Sequence, residues 1–428
     1  MTTAASRRAA AAAGAAAALA ALAIVAAGCT AVSSTAVSST AVSSPDVSST
    51  AVSSPGAHTN AAPARPVGVV TDWLPGCTSA VQAAPELADD IRMVAVPPNP
   101  WGVVTTRDRQ LAFVSLNGAD SVGLFRATSD PSLARQIEVP GAVFGEALTP
   151  DGRYLLGADG GAGAWVIDVA AAEKGSSHAV LGDMTAGNGT GAIAVAVSPD
   201  GRYAFVSLED AGQIAVFNLR HALVGGLGGA GYVGSILVGP TPTDVAFSPD
   251  GQWAYATSEG PDLNVAGTLD VISVRQAETD PAGAVVASVP AGCNPVRVIT
   301  SGSGDVVWVT ARASDALLAF SAGRLRTDAA HALLADVRVG EAPVQLAFVR
   351  GGSRIVVADS DRFDVRGAAA SLAVVDVSAT LAGRPALLGY LPAGQFPRDM
   401  ATASGGRTLL VSNYSSNQLE SVDVARLP

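Results

Sequence analysis

One phrase recurs along this chain. "LTPDGRYLLGA" at residues 148–158 returns as "VSPDGRYAFVS" at 197–207 and as "FSPDGQWAYAT" at 247–257. Four degraded copies complete the series: "TTRDRQLAFVS" (105–115), "TSGSGDVVWVT" (300–310), "FVRGGSRIVVA" (348–358) and "TASGGRTLLVS" (402–412). Seven units of roughly fifty residues follow from this spacing, and a fixed period of that length marks a propeller or another repeat array. Each unit has one grammar. A short apolar stretch such as "PTDVAF" or "PVQLAF" enters a Pro-Asp-Gly or Gly-Gly turn, and an alternating stretch such as "RYAFVS" leaves it. A polar turn, a third apolar stretch ("QIAVFNL", "LAVVDV") and a variable loop lead to a fourth stretch such as "GSILVG". Asp-Gly and Gly-Gly supply the positive φ angles of tight hairpins. Four short strands per unit without helical periodicity describe a propeller blade. The phrase is then the hairpin between a blade's first two strands.

The ends fit the same scheme. The last unit supplies three strands and stops at "SVDVARLP", while "IRMVAVP" (91–97) precedes the first unit without a partner. Pairing it with residues 419–424 closes the ring and removes two exposed sheet edges. The fold class expected is all-β: a seven-bladed β-propeller with four antiparallel strands per blade, over residues 91–428, closed by an N-terminal strand.

The segments before residue 91 read differently. "SRR" at Ser6–Arg8 followed by an Ala-rich apolar run to Cys29 has the layout of a secretory signal over 1–28. Its end, Ala-Ala-Gly-Cys, resembles the bacterial lipobox, with Ala26 where Leu is usual. That resemblance implies lipidation of Cys29 and an exported protein anchored to the outer face of the cytoplasmic membrane. Arg7-Arg8 leaves twin-arginine export open beside the general route. Residues 29–66 form a Ser/Thr/Pro-rich tether containing five pentads of "TAVSS" type. Such a composition buries too little apolar surface to offset chain ordering, and its hydroxyls are candidate glycosylation sites. Residues 67–90 are a non-repeat lead-in.

"LLVSNYSSNQLESVDV" (409–424) resembles the signature of YVTN-repeat, lactonase-like β-propellers, and "SPDGRYAFVS" fits the same pattern. The resemblance covers about 340 residues and implies a seven-bladed, often exported propeller. Its members include enzymes, binding modules and surface proteins.

Chemistry is sparse. The net charge is −11, with no basic stripe to meet phosphates, which argues against a nucleic-acid partner. "GLGGAG" (226–231) matches a dinucleotide pattern but falls in a loop between a third and a fourth strand rather than between strand and helix. No cofactor is expected. "DSDRFD" (359–364) lacks the spacing, the Gly and the terminal Glu of a calcium loop and reads as an exposed acidic turn. His178, His221 and His331 fall in variable outer loops, and no metal site is expected. With Cys29 lipidated, Cys77 and Cys293 remain, and two cysteines in an exported protein favour a disulfide.

The candidate ligand site comes from register. Two residues after the Pro that opens each first strand, or its equivalent, the units read Gly102, Gly145, Ala194, Asp244, Arg297, Gln345 and Asp399. Arg398 adds a cation beside Asp399. Small residues on three consecutive blades face polar ones on four, so a ligand lying over the small side reaches Asp244, Arg297, Gln345, Arg398 and Asp399. The turns on the same face add Asp120, Glu209, Asp210, Glu259, Arg312, Asp361, Arg362 and Asn413. The bland alternative is a set of ion pairs, such as Asp244–Arg297, that merely fills the channel. The function expected is a monomeric, surface-tethered, non-catalytic binding or scaffold module for a small molecule or protein at the channel face. Two alternatives stand beside it: a lactonase-like hydrolase using channel-mouth carboxylates, and an accessory subunit of an extracytoplasmic redox enzyme.

Overall fold

A computed structural model describes residues 76–77, 81–187, 190–364 and 369–428. The signal segment, Cys29 and the tether lie outside the described residues. Seven sheets of four antiparallel strands follow one another along the chain. The seventh is composite. Its three C-terminal strands, Pro397–Ala403, Thr408–Asn413 and Gln418–Asp423, are completed by Ile91–Ala95 from the start of the domain, which pairs Ile91 with Val422 and Ala95 with Gln418.

The repeated phrase builds its hairpin through its own side chains. In the third blade, Ser198 Oγ donates to Asp200 Oδ1 at 2.6 Å, and the N–H of Tyr203 donates back to Ser198 Oγ at 3.0 Å. Gly201 takes φ 71°, a region a Cβ disfavours. The second and fourth blades repeat the device with Thr149–Asp151 and Ser248–Asp250. The hydroxyl holds the carboxyls of Asp151 and Asp250 below their usual range.

The loops expected between third and fourth strands contain a regular element. Short helices occupy Val169–Lys174, Leu219–Gly225, Val274–Ala277, Ala322–Thr327 and Val377–Leu381. Each is N-capped by the residue that ends the preceding strand: Asp168, Asn218, Ser273, Ser321 and Asp376. Elements of two turns or fewer are too short to show a 3.6-residue period. His221 lies in the second of these helices, and His178 and His331 lie near others on the outer side.

Apolar clusters fill the spaces between successive sheets. One joins Leu269, Val271 and Val289 of the fourth to Val307, Val309 and Leu318 of the fifth. Another joins Leu410 and Leu419 of the seventh sheet to Val103, Val114 and Phe125 of the first. Small side chains suffice because each twisted sheet packs face to face on its neighbour at the interior density of proteins.

The lead-in is part of this body. Leu87 N–H donates to Tyr390 O at 2.7 Å and Tyr390 N–H to Pro85 O at 2.9 Å, so the segment runs along the sixth sheet's outer strand, Leu387–Pro392. Cys77 is disulfide-bonded to Cys293, with Cα atoms 5.3 Å apart. Cys293 ends the fourth sheet's outer strand, Val285–Cys293.

Candidate functional site

The first strands of the blades line the axis, and a ladder of hydroxyls stitches them together. Ser or Thr recurs in the second strand at Ser115, Ser207, Thr257, Thr310 and Ser412, and all but Ser207, whose Oγ donates to Ala194 O of its own blade at 3.4 Å, reach the next blade. Ser115 Oγ donates to Phe144 O of the next blade at 2.7 Å, and Thr257 Oγ1 to Val296 O at 3.0 Å. Thr310 Oγ1 donates to Val344 O at 2.7 Å, and Ser412 Oγ to Trp101 O at 2.6 Å. The same hydroxyls accept from their own blade: Gly102 N–H reaches Ser115 at 2.6 Å, and Arg297 N–H reaches Thr310 at 3.2 Å. A buried hydroxyl placed to donate one way and accept the other leaves two backbone groups satisfied.

The small side of the ring has a different cause from the one its sequence suggests. A Cβ on Gly102 would stand 2.9 Å from Phe144 O, and one on Gly145 would stand 3.0 Å from Ile193 O. Glycine is there because the neighbouring backbone occupies the space a side chain would need.

The polar side is brought together and largely engaged. Asp244 Oδ2 accepts from Val298 N–H of the next blade at 3.0 Å, and Asp399 Oδ2 accepts from Val103 N–H at 3.1 Å. Arg297 Nη1 donates backwards to Thr243 O at 3.0 Å, and Gln345 Nε2 donates to Asp399 Oδ1. Asp244 and Arg297 attract each other without direct ion-pair contact. Burial raises the Asp244 carboxyl to about 6, against the pull of the Arg297 charge. Burial raises Asp399 too, opposed first by Arg297.

Arg398 is placed differently. It is 4% exposed, its guanidinium carbon lies 3.6 Å from the centroid of the Trp101 ring, and Phe396 flanks it at 5.4 Å. Its Nε and Nη1 are buried without an acceptor, as are Trp101 Nε1 and Arg312 Nε. Burial, and then the charges of Arg297, Arg312 and Arg362, push its guanidinium well below the ordinary range, with Glu259 opposing. An arginine does not release its proton in a protein, so this depression measures how poorly the charge is compensated. Trp101 is also edge-on to Phe144 at 4.9 Å and to Tyr414 at 5.4 Å, so the cation stands in an aromatic frame.

The turn residues divide. Arg312 is buried and pairs with Glu259 at 2.8 Å. Glu209 lies beside this pair, with burial and then the Glu259 charge raising its carboxyl. Arg362 is exposed over Phe396 at 5.9 Å, while Asp120 and Asp210 are solvated. Asn413 is buried and donates to Glu420 Oε2 at 2.8 Å, where Gly394 N–H also donates. Burial raises Glu420 to about 7. The acidic turn needs a correction: Asp359 is fully buried, against Gly340 and with Ser371 Oγ donating to it at 3.2 Å, and of its three carboxyls only that of Asp364 is exposed.

One channel-side acid escapes the register argument. The residue after each ring position pairs apolar to apolar: Val103 with Val114, Val195 with Val206, Val298 with Val309 and Leu346 with Val357. In the second blade this pair is Glu146 with Gly157, a carboxyl accommodated by the loss of its partner's side chain. Burial and then the Asp399 charge hold Glu146 well above the usual carboxylate range. The visible signal is a Glu inside the otherwise apolar "VFGEAL".

Among the described residues, no cluster of three or more His, Cys, Asp or Glu could hold a metal ion. No helix among them is long and apolar enough to cross a membrane.

A family model described as lactonase, 7-bladed beta-propeller, matches residues 146–348. The chain is similar in structure to Kuenenia stuttgartiensis hydrazine synthase, with a TM-score of 0.61 at 18% identity over 77% of this chain and 96% of that one. It is equally similar to a chain of a mitotic checkpoint complex: TM-score 0.61, 14% identity, 81% of this chain and 98% of the other. At these identities the likeness speaks for fold alone. No curated protein matches the sequence.

Proposed function

We propose that this lactonase-like seven-bladed β-propeller is a non-catalytic binding module, held on the outer face of a bacterial cytoplasmic membrane, that takes its ligand at the channel mouth. The observation that carries the reading is a division of labour. Asp244, Arg297, Gln345 and Asp399 have protein partners that join one blade to the next. Arg398 is buried as well and stacks on Trp101 of the first blade, yet its Nε and Nη1 have no acceptor among the described residues. Buried charges without partners are costly, and residues that break the local rules of a fold concentrate at functional sites.

A hydrolase remains the alternative because Asp244, raised to about 6, titrates where a general base works. Against it, one oxygen of that carboxylate is committed to Val298 N–H.

Screening small molecules by thermal shift, with product analysis by NMR, tests the reading. Stabilising compounds should be recovered unchanged and should lose their effect in Ile193→Trp, a plug at the register position that Trp101 and Phe144 hold in the first two blades, one residue before Ala194. Turnover of a stabilising compound would overturn the non-catalytic reading in favour of a hydrolase. Hits indifferent to the plug would move the site elsewhere. The tethering is tested separately: mass spectrometry of the membrane fraction should find an acylated Cys29 at the mature N-terminus, and a chain retaining Ser6–Gly28 would end that part of the reading.

A further inference from the structure

We infer that the channel mouth is built for one oxyanion, a carboxylate-bearing small molecule whose negative group meets Arg398 and whose apolar body lies in the aromatic frame. The inference rests on the reading that the mouth binds a ligand and names that ligand's class. Its sign follows from the unsatisfied groups: Arg398 Nε, Arg398 Nη1, Trp101 Nε1 and Arg312 Nε all carry hydrogen and all lack an acceptor. A ligand that satisfies them presents oxygen lone pairs.

Its charge follows from the local balance. Of the four arginines that sense one another here, Arg312 is paired with Glu259 at 2.8 Å. Arg297 faces Asp244 and Asp399. Arg362 is exposed and hydrated. Arg398 is buried, has no acid in ion-pair contact among the described residues, and is pressed by three like charges, with Glu259 and Glu209 acting on it from a distance. A buried cation without a contacting acid suits a negative group, and a guanidinium fork matches a carboxylate in geometry. The body follows from the walls. Trp101 lies against the cation, Phe144 and Tyr414 meet Trp101 edge-on at 4.9 and 5.4 Å, and Phe396 flanks Arg398. A flat apolar group suits such a frame better than a hydrated polyol.

Benzoate is the probe, with benzamide as its neutral isostere and inorganic phosphate as an anion without an apolar body. Calorimetric titration of the full chain should show benzoate binding at least tenfold tighter than either. Arg398→Met should lower benzoate affinity at least tenfold, and Arg398→Lys should recover little, because an ammonium lacks the fork. The unliganded stability of Arg398→Met is a second readout: its Tm should hold or rise, since an unpaired buried charge is replaced by an apolar chain of similar reach. Benzamide binding as tightly as benzoate would overturn the inference while leaving the mouth a ligand site. A fall of many degrees in the Tm of Arg398→Met would make the arginine structural and overturn it also. Phosphate binding more tightly than benzoate would remove the apolar body.

Discussion

Acidification from pH 8 to pH 5 should stabilise this protein, with the urea midpoint moving upward. Two carboxyls set the sign, Glu420 fully buried and Asp244 partly so. Asp244 is raised from 3.8 to about 6, and Glu420 from 4.5 to about 7, both chiefly by burial. A carboxyl whose pKa is higher folded than unfolded stabilises the fold while both states are protonated, below about pH 4. That contribution is lost as pH climbs through the folded value. The loss therefore falls between about pH 4 and 7, and most of it lies inside the interval tested. Each shift corresponds to roughly 3 kcal/mol at full strength, by about 1.4 kcal/mol per unit, so a combined change of about 2–4 kcal/mol is expected after relaxation. Carboxyls shifted the other way do not cancel it. Asp108, Asp151 and Asp250 are lowered by turn hydroxyls, so their contributions fade only below the ordinary carboxylate range. Glu420→Gln keeps an acceptor for Asn413 and Gly394 while removing the titration, and should flatten part of the profile. Equal stability at pH 5 and pH 8 would mean that water reaches these groups.

The contrast between Asn413 and Glu420 shows what the sequence exposes and what it conceals. "VSNY" reads as a repeat signature because its strand alternation and turn are local properties of the backbone. The purpose of the Asn is not local. It donates a hydrogen bond to one oxygen of a buried carboxyl on the neighbouring strand, a fact that depends on the pairing of Asn413 with Gln418 and on burial of residue 420. The ring of Ser and Thr in the second strands is a similar case. Its periodicity is plain in "FVS", "WVT" and "LVS", and its role as a clamp between blades appears only when the next blade's carbonyl is in place. Strand order and hairpin chemistry were readable because the chain repeats them seven times, once per blade, which averages out the exceptions. The short helices were not, since one or two turns leave no period; their capping residues Asp168, Asn218 and Asp376 were the available sign.

The channel shows the limit of register in the same way. Position two after the Pro gathers Asp244, Arg297, Gln345 and Asp399 on the first strands of successive blades. Register carries no information on which of them find partners. Gly102 and Gly145 mislead for a related reason. A small residue makes room, and only the neighbouring backbone says whether the room is already taken. Arg398 and Glu146 sit one position before and after the ring, so a search confined to a single phase of the repeat sees one by adjacency and misses the other.

Removing Arg297 separates architecture from binding within that ring. Arg297→Ala withdraws the donor to Thr243 O and the charge that holds down both Asp244 and Asp399. At pH 8 two enclosed carboxylates then lose their principal compensation, and a loss of about 3–5 kcal/mol is expected, the usual cost of breaking a buried charge pair. At pH 5 the penalty should shrink to about 1–2 kcal/mol, close to that of a lost hydrogen bond, because both acids escape by taking up a proton. Asp244→Asn in the same chain keeps an oxygen for Val298 N–H and removes one stranded charge. The double variant should regain much of the loss at pH 8 and little at pH 5, a coupling that a cycle of four urea melts measures directly. An Arg297→Ala protein as stable as wild type at pH 8 would contradict the stitching role and return Arg297 to the ligand, where calorimetric titration with benzoate would show its loss. A penalty that does not depend on pH would assign the effect to packing of the arginine's aliphatic stem rather than to its charge.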